Sequence, residues 1–490
     1  MTSARSAPDS IRLLIGMIVV LLCIAGTIAT REDVLGDPDI WWHLKTGAWI
    51  LQHKAVPTTD TFSYTFAGQP WIAKEWLSQV IYYLAFAAGG WNGVAALVAI
   101  VVGVAAGLLY RSQSESLRPS MAASVVLVCM LLTSSAITAR PHLLTLPLLV
   151  IWIAGLFKAS QKGSAPNFLL LVVILAWANL HAAFTMGFVI AFFAFLDFLE
   201  TWRLTRKPAL LAWLGFLALC PLVTLIHPYS YQAMMATLSV FRSNEGALPI
   251  GEWQPFDAQQ QTVHAGVLLL LLFAALTSGF RLGLARALLI VVLTYLFMTH
   301  VRYAFFLYPV LVLLVAPVVA RQFPKLSAVH WRSQPLDSAE QRMSAAFAPA
   351  AAVMSAVTVA MIGLQAWILP TAPPQMVAVT GAIDYVKSHG ITGNVLNHYN
   401  FGGPLVFNDI PTFVDGRTDQ LFIGSFGKEM QDGREDAAIF AQTLAKYDIR
   451  WTILPPDDPR LKLLQAMPGW KQVFADKFAV VYQREAQTTQ

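Results

Sequence analysis

Charge is what this sequence has least of. Only 12% of its 490 residues are Asp, Glu, Lys or Arg, about half the ~25% carried by a soluble globular domain. That shortage excludes an ordinary water-exposed surface. The formal net charge of +5 is too modest to indicate nucleic-acid binding and fits a bias in membrane loops instead. Cysteine is nearly absent: Cys23, Cys129 and Cys220 each lie inside an apolar run, which excludes a disulfide framework and a thiolate metal centre. No internal repeat and no low-complexity segment is visible. What the chain has instead is apolar length, 56% of its residues. Runs of about 18 or more such residues recur, each long enough to cross a bilayer.

Candidate spans fall at 11–29, 86–109, 121–138, 142–157, 167–180, 183–199, 209–226, 263–279, 286–300, 303–320 and 347–369, about eleven helices by the ~20-residue rule. The first run, Leu13–Ala29, is long and is followed by no small-residue cleavage site, so it reads as a retained helix and not a signal peptide. Basic residues set the orientation. With Arg5 and Arg12 in the cytoplasm, the alternate loops carry Arg111/Arg118, Lys158/Lys162, Arg203/Arg206/Lys207, Arg281/Arg286 and Arg321/Lys325/Arg332, all on the same side. An odd number of helices then puts the C-terminus on the outer face of an inner (cell) membrane.

The tail after Pro370 is a different polymer. Helical patterns ("MVAVTGAIDYVKSHG", "DAAIFAQTLAKY") alternate with short β-rich runs ("NVLNHY", "TFVDGR", "RWTILPP"), ending in a hairpin "KQVFADKFAVVYQR" with Asp476-Lys477 at its turn. The fold class is therefore a polytopic α-helical membrane protein, residues 1–370, with a long first outer loop over about 30–85 and a C-terminal extracytoplasmic α/β domain, 371–490.

The outer loop opens with "GDPDIWWHLKTGAWIL", Gly36 to Leu51, which puts two acids beside a membrane surface. Asp37 before Pro38 suits a helix cap. Trp41, Leu44, Ala48 and Leu51 then recur at helical spacing, predicting an amphipathic helix in the interface with its tryptophans at headgroup depth. Residues two apart on a helix do not face each other, so Asp37 and Asp39 are not expected to pair. Asp39 and His43, four apart, share a face and offer a carboxylate that can serve as a base. A second amphipathic segment, "GQPWIAKEWLSQVIYYLAF", begins with Trp71, Glu75 and Trp76.

The pattern D-P-D-x-W-W-H-L, then P-x-x-D-x-F-S and P-W-x-x-x-E-W-L, over residues 36–77, resembles uncharacterised bacterial members of the C-type (GT-C) membrane glycosyltransferase superfamily. The tail stretch "NFGGPLVFNDIPTFVDGR" is similar to such proteins too, without a known activity. The resemblance implies a transferase using a polyprenyl-phosphate-linked sugar, with a first-loop acid as the catalytic or metal-binding group. That role carries over to Asp39, with Asp37 second. The Pro between the two is a departure, since better-known members have adjacent acids.

The topology collects further polar residues on the same face: Arg140 and His142 in "TARPHLL", His181 in "AWANLHAAF", Glu252 in "LPIGEWQPF" and Arg302 in "THVRYAFF". Each alone reads as readily as a snorkelling or structural side chain. Together with His43 and Glu75 they predict a substrate-binding cavity. Arg140 and Arg302 are the expected grip on the donor phosphate, because guanidinium binds phosphate bidentately. A divalent metal held by Asp39, His43 or Glu252 is an alternative that no ligand spacing selects. The expected partners are the lipid-linked sugar, membrane lipid, and a glycan, lipid or protein acceptor, with no nucleic acid. A lipid or solute transporter and a silent scaffold are the competing readings. Transporter sites tend to lie at midplane within repeated halves, whereas here the polar residues sit at helix ends.

Overall fold

The computed structural model describes residues 7–202, 206–239 and 254–485. Glu252 lies outside them. Helices occupy every expected span: α1 Ala7–Ala29, then, after the outer-loop helix α2 Asp39–His53, α3 Trp76–Ser116, α4 Pro119–Leu132, α5 Leu146–Lys162, α6 Leu170–Leu180, α7 Phe184–Trp202, α8 Lys207–Val223, α9 Thr262–Thr277, α10 Leu284–Thr299, α11 Ala304–Gln322 and α12 Phe347–Trp367. Five stretches, Ala7–Ala29, Trp76–Ser116, Phe184–Trp202, Val301–Gln322 and Phe347–Trp367, are long and apolar enough by themselves to cross a membrane. The protein is a multi-pass membrane protein.

Several shorter helices stop early at one end of the bundle, and that is where the polar residues lie. α4 ends at Leu132 and the chain does not return to regular helix until Pro141; α6 gives way to an extended His181 (φ −160°, ψ 140°); α10 gives way to an extended His300 (φ −149°, ψ 113°). The opposite end is tied by contacts among the segments expected to be cytoplasmic. Arg12 Nε donates to Ser114 Oγ at 2.9 Å, Lys158 pairs with Glu115 at 2.7 Å, and Arg332 approaches Asp9 at 3.8 Å. A reporter active only in the cytoplasm, fused after Arg484, is therefore expected to be silent; a bright fusion would reverse the assignment of both ends.

The second outer-loop helix is present and meets the next span inside α3 at a break, where Gly89 and Gly90 leave helical geometry and Gly90 takes φ 58°. Three expectations change. The apolar face of helix α2 is covered by protein. Residues Asp39 to Leu44 are all buried, and Trp41 packs edge-on against Trp91 (4.5 Å) and Phe407 (5.2 Å). Periodicity marks an apolar face but does not say whether lipid or protein covers it. Arg286 is no loop cation: it lies within α10 and pairs bidentately with Asp197 of α7 (Nε–Oδ1 2.7 Å, Nη2–Oδ2 2.9 Å), while Ser160 also donates to that carboxylate at 2.5 Å. A buried, neutralised arginine carries no orientation signal. Finally, "TFVDGR" forms no strand.

The tail builds a four-stranded sheet from β1 Asn394–Asn397, β2 Ile449–Leu454, β3 Trp470–Ala475 and β4 Val480–Arg484 in the order β1-β2-β4-β3; β1 runs parallel to β2 and the other pairs are antiparallel. Asp476 closes the expected hairpin by accepting the Phe478 and Ala479 amides at 2.7 and 2.8 Å. The outer loop is knitted to this unit: Tyr64 N–H donates to the Thr412 carbonyl (3.1 Å), Thr412 N–H to the Phe62 carbonyl (3.2 Å), and Tyr64 Oη to the Val395 carbonyl (2.8 Å).

Candidate functional site

Asp37 sits just ahead of α2, and its Oδ1 accepts the Asp39 amide at 2.9 Å. This turn lets the two acids converge although helical spacing would separate them. Arg140 meets both: Nη2 donates to Asp39 Oδ2 at 2.7 Å and Nη1 lies 3.3 Å from Asp37 Oδ2. Pro141 keeps Arg140 extended (φ −127°, ψ 156°), and Tyr82 Oη holds its carbonyl at 3.0 Å. The other Asp39 oxygen, Oδ1, accepts the Trp42 indole N–H at 3.1 Å. A guanidinium thus occupies the position a cation would take between the two aspartates. Among the described residues no three His, Cys, Asp or Glu are grouped to hold a metal ion, and Glu252 lies outside them.

Glu75, at the N-terminus of α3, faces two imidazoles: His181 Nε2 is 3.3 Å from Oε1 and His43 Nε2 is 3.9 Å from Oε2. His181 Nδ1 accepts the Ala183 amide (3.2 Å), and His43 Nδ1 faces the Gln79 amide nitrogen (3.3 Å), so each ring carries its proton on the nitrogen turned toward Glu75. Burial, reinforced by Arg140 and His142, holds His43 well below the usual imidazole range; burial, with His142 and Arg302 next, does the same to His181. Both are neutral near pH 7. Burial pushes the Glu75 carboxyl up to about 7, with Lys74 opposing that rise and Asp419 adding to it.

These groups line one cavity of about 520 Å³, within the size range of a small-molecule site. Asp37, Asp39, His43, Glu75, Arg140, His142, His181 and Arg302 all reach it. His142 is fixed through Nε2–H to the Ala136 carbonyl at 2.8 Å and packs on Phe305. The tail supplies a wall that the sequence reading did not assign. Tyr399 and residues Gly416–Gln420 face the cavity, and Asp419 pairs with Lys74. The available signal was the tail stretch "NFGGPLVFNDIPTFVDGR", noted without a role.

Behind that wall, Arg417 is 1% exposed and locks the tail to the outer loop. Its Nε and Nη2 meet Asp415 at 2.7 Å each, Nη1 meets Asp60 Oδ1 at 2.6 Å, and its plane lies over Trp71 at 4.8 Å. Asp60 is the acid of the P-x-x-D-x-F-S pattern.

No family model matches the chain, and no curated protein is significantly similar to it. Among solved structures, the archaeal oligosaccharyltransferase AglB from Archaeoglobus fulgidus, in complex with an inhibitory peptide and a dolichol-phosphate, is similar with a TM-score of 0.57 and 12% identity, over 90% of this chain and 69% of that one. ArnT from Cupriavidus metallidurans, bound to undecaprenyl phosphate, is similar with a TM-score of 0.50 and 13% identity, over 96% of this chain and 98% of the other. At such identities the likeness shows the fold alone: this chain shares the architecture of these two proteins.

Proposed function

We propose that this chain transfers a sugar from a polyprenyl-phosphate-linked donor to an acceptor at the outer face of the membrane. The observation that carries this reading is the meeting of the first-loop acids with cationic side chains in one cavity at a single end of an apolar bundle. In that arrangement the donor phosphate is held by Arg302 and Lys74, and the anomeric carbon lies toward Asp39. The Asp39 carboxylate stabilises positive charge developing on the sugar ring and keeps Arg140 in place. The apolar wall around Phe305 and Phe306 suits the lipid side of the donor. The two structural neighbours were solved with polyprenyl phosphates, which supports the donor class.

The test is binding of undecaprenyl phosphate to the purified full-length chain in nanodiscs, together with release of sugar from undecaprenyl-phosphate-linked sugars. Saturable binding and turnover are expected; absence of both ends the proposal. Within that assay Arg302→Lys keeps the charge but loses the fork. It should weaken undecaprenyl phosphate about ten- to hundred-fold, the ~1.5–3 kcal/mol of a charged hydrogen bond. Unchanged affinity would return Arg302 to a snorkelling role.

A further inference from the structure

We infer that Glu75, and not Asp39, takes the proton from the acceptor hydroxyl, with His43 and His181 as the neutral pair that positions its carboxylate. This rests on the transfer reading above and names a group within it.

The geometry separates the two acids. Asp39 is committed on both oxygens, to a permanently charged guanidinium at 2.7 Å and to an indole N–H at 3.1 Å. Among the described residues, the groups nearest the Glu75 oxygens are two neutral imidazoles, at the looser distances of 3.3 and 3.9 Å, and each oxygen keeps a lone pair for a hydroxyl entering the cavity. The rings are themselves fixed from behind, His181 by the Ala183 amide and His43 by Gln79. The step balances: the acceptor O–H proton goes to Glu75, the acceptor oxygen bonds to the anomeric carbon, and the bond from that carbon to the phosphate oxygen breaks. The electron pair leaves with the phosphate, whose charge Arg302 and Lys74 meet.

Among the described residues, the groups facing Glu75 are His43 from α2, Arg140 from the turn after α4, His181 from the α6–α7 turn, Arg302 from the turn after α10, Lys74 beside it, and Asp419 from the tail. Under this balance its carboxyl titrates at about 7, which matches a base to its working pH.

The experiment uses the full-length chain in nanodiscs, with undecaprenyl phosphate as the binding probe and undecaprenyl-phosphate-linked sugars turned over with water as acceptor. For Glu75→Gln, binding should stay within about threefold while turnover falls by roughly 10²-fold or more, and the acid limb of the pH profile, centred near 7 in the wild type, should vanish. Glu75→Asp retains a carboxylate and should keep that limb at a reduced rate, so the test survives a Gln variant that fails to fold. Asp39→Asn should lose rate but keep the limb. Near-wild-type turnover in Glu75→Gln, or a limb that disappears with Asp39→Asn and persists in Glu75→Gln, overturns the inference and leaves the transfer reading intact. A wild type that neither binds nor turns over the probes overturns both.

Discussion

Replacing Arg417 with Met should destabilise the junction of outer loop and tail by about 3–5 kcal/mol, the cost of removing one partner from a buried ion cluster. The guanidinium satisfies Asp415 on two oxygens and Asp60 on one, at 2.6–2.7 Å, with 1% of Arg417 exposed. Burial alone would lower its pKa; the Asp415 and Asp60 carboxylates outweigh that and raise it, so the group stays charged. Met fills similar volume and still covers Trp71, but leaves two buried carboxylates facing each other. Asp60 cannot turn away easily, because its Oδ1 also accepts the Phe62 amide at 2.8 Å and its Oδ2 is bonded by Ser63. Thermal unfolding of the detergent-solubilised chain and limited proteolysis of the tail should report the loss. Asp60→Asn, which retains a hydrogen-bonding group but drops the charge, should cost less. A Met variant as stable and protease-resistant as the wild type would mean the cluster contributes nothing to holding tail and loop together.

The cluster also marks where the sequence stopped being legible. The membrane helices were readable because lipid imposes one rule, apolar length, on each span separately. The acids and cations of the cavity were readable because topology sorts unusual residues to one face. What could not be read was anything set by a partner far away in the chain. Trp41 looked like an interface anchor because its true neighbour, Phe407, is more than 360 positions on. "TFVDGR" looked like a strand because β-branched and aromatic residues precede its turn, whereas Asp415 folds back on Arg417 and the segment packs against the loop instead of joining the sheet. Asp37 and Asp39 looked separated because the spacing rule assumes both lie within the helix, and Asp37 lies outside it. Glu75 is legible as a cavity residue, but nothing local to it announces that His43 and His181 will flank it.

Gly416→Ala should all but abolish turnover, by about 10²-fold, through a displacement of Asp39 and not through the backbone. Gly416 does not have the positive φ that demands glycine. It is required because the tail passes directly over the start of α2. A Cβ there would lie well inside contact distance of Asp39 Oδ1, 2.7 Å from Asp39 Cγ and 2.7 Å from Trp42 Nε1. Neither neighbour can yield cheaply: Asp39 is held by Arg140 and by Trp42, and Trp42 is 7% exposed within the core that joins loop and tail. Either the aspartate leaves Arg140 or the tail lifts from the cavity, and a shift of ~1 Å in a reacting constellation costs about 10²-fold in rate. The stability cost should be smaller, about 1–3 kcal/mol for overpacking by one methyl group. A double-mutant cycle separates this from general damage. In an Asp39→Ala background the space opens, so the unfolding penalty of Gly416→Ala should shrink by most of its value, a coupling expected only between residues in contact. If the penalty is the same in both backgrounds, or if Gly416→Ala turns over substrate at the wild-type rate, the tail does not position the first-loop acid, and the outer wall of the cavity serves only to cover it.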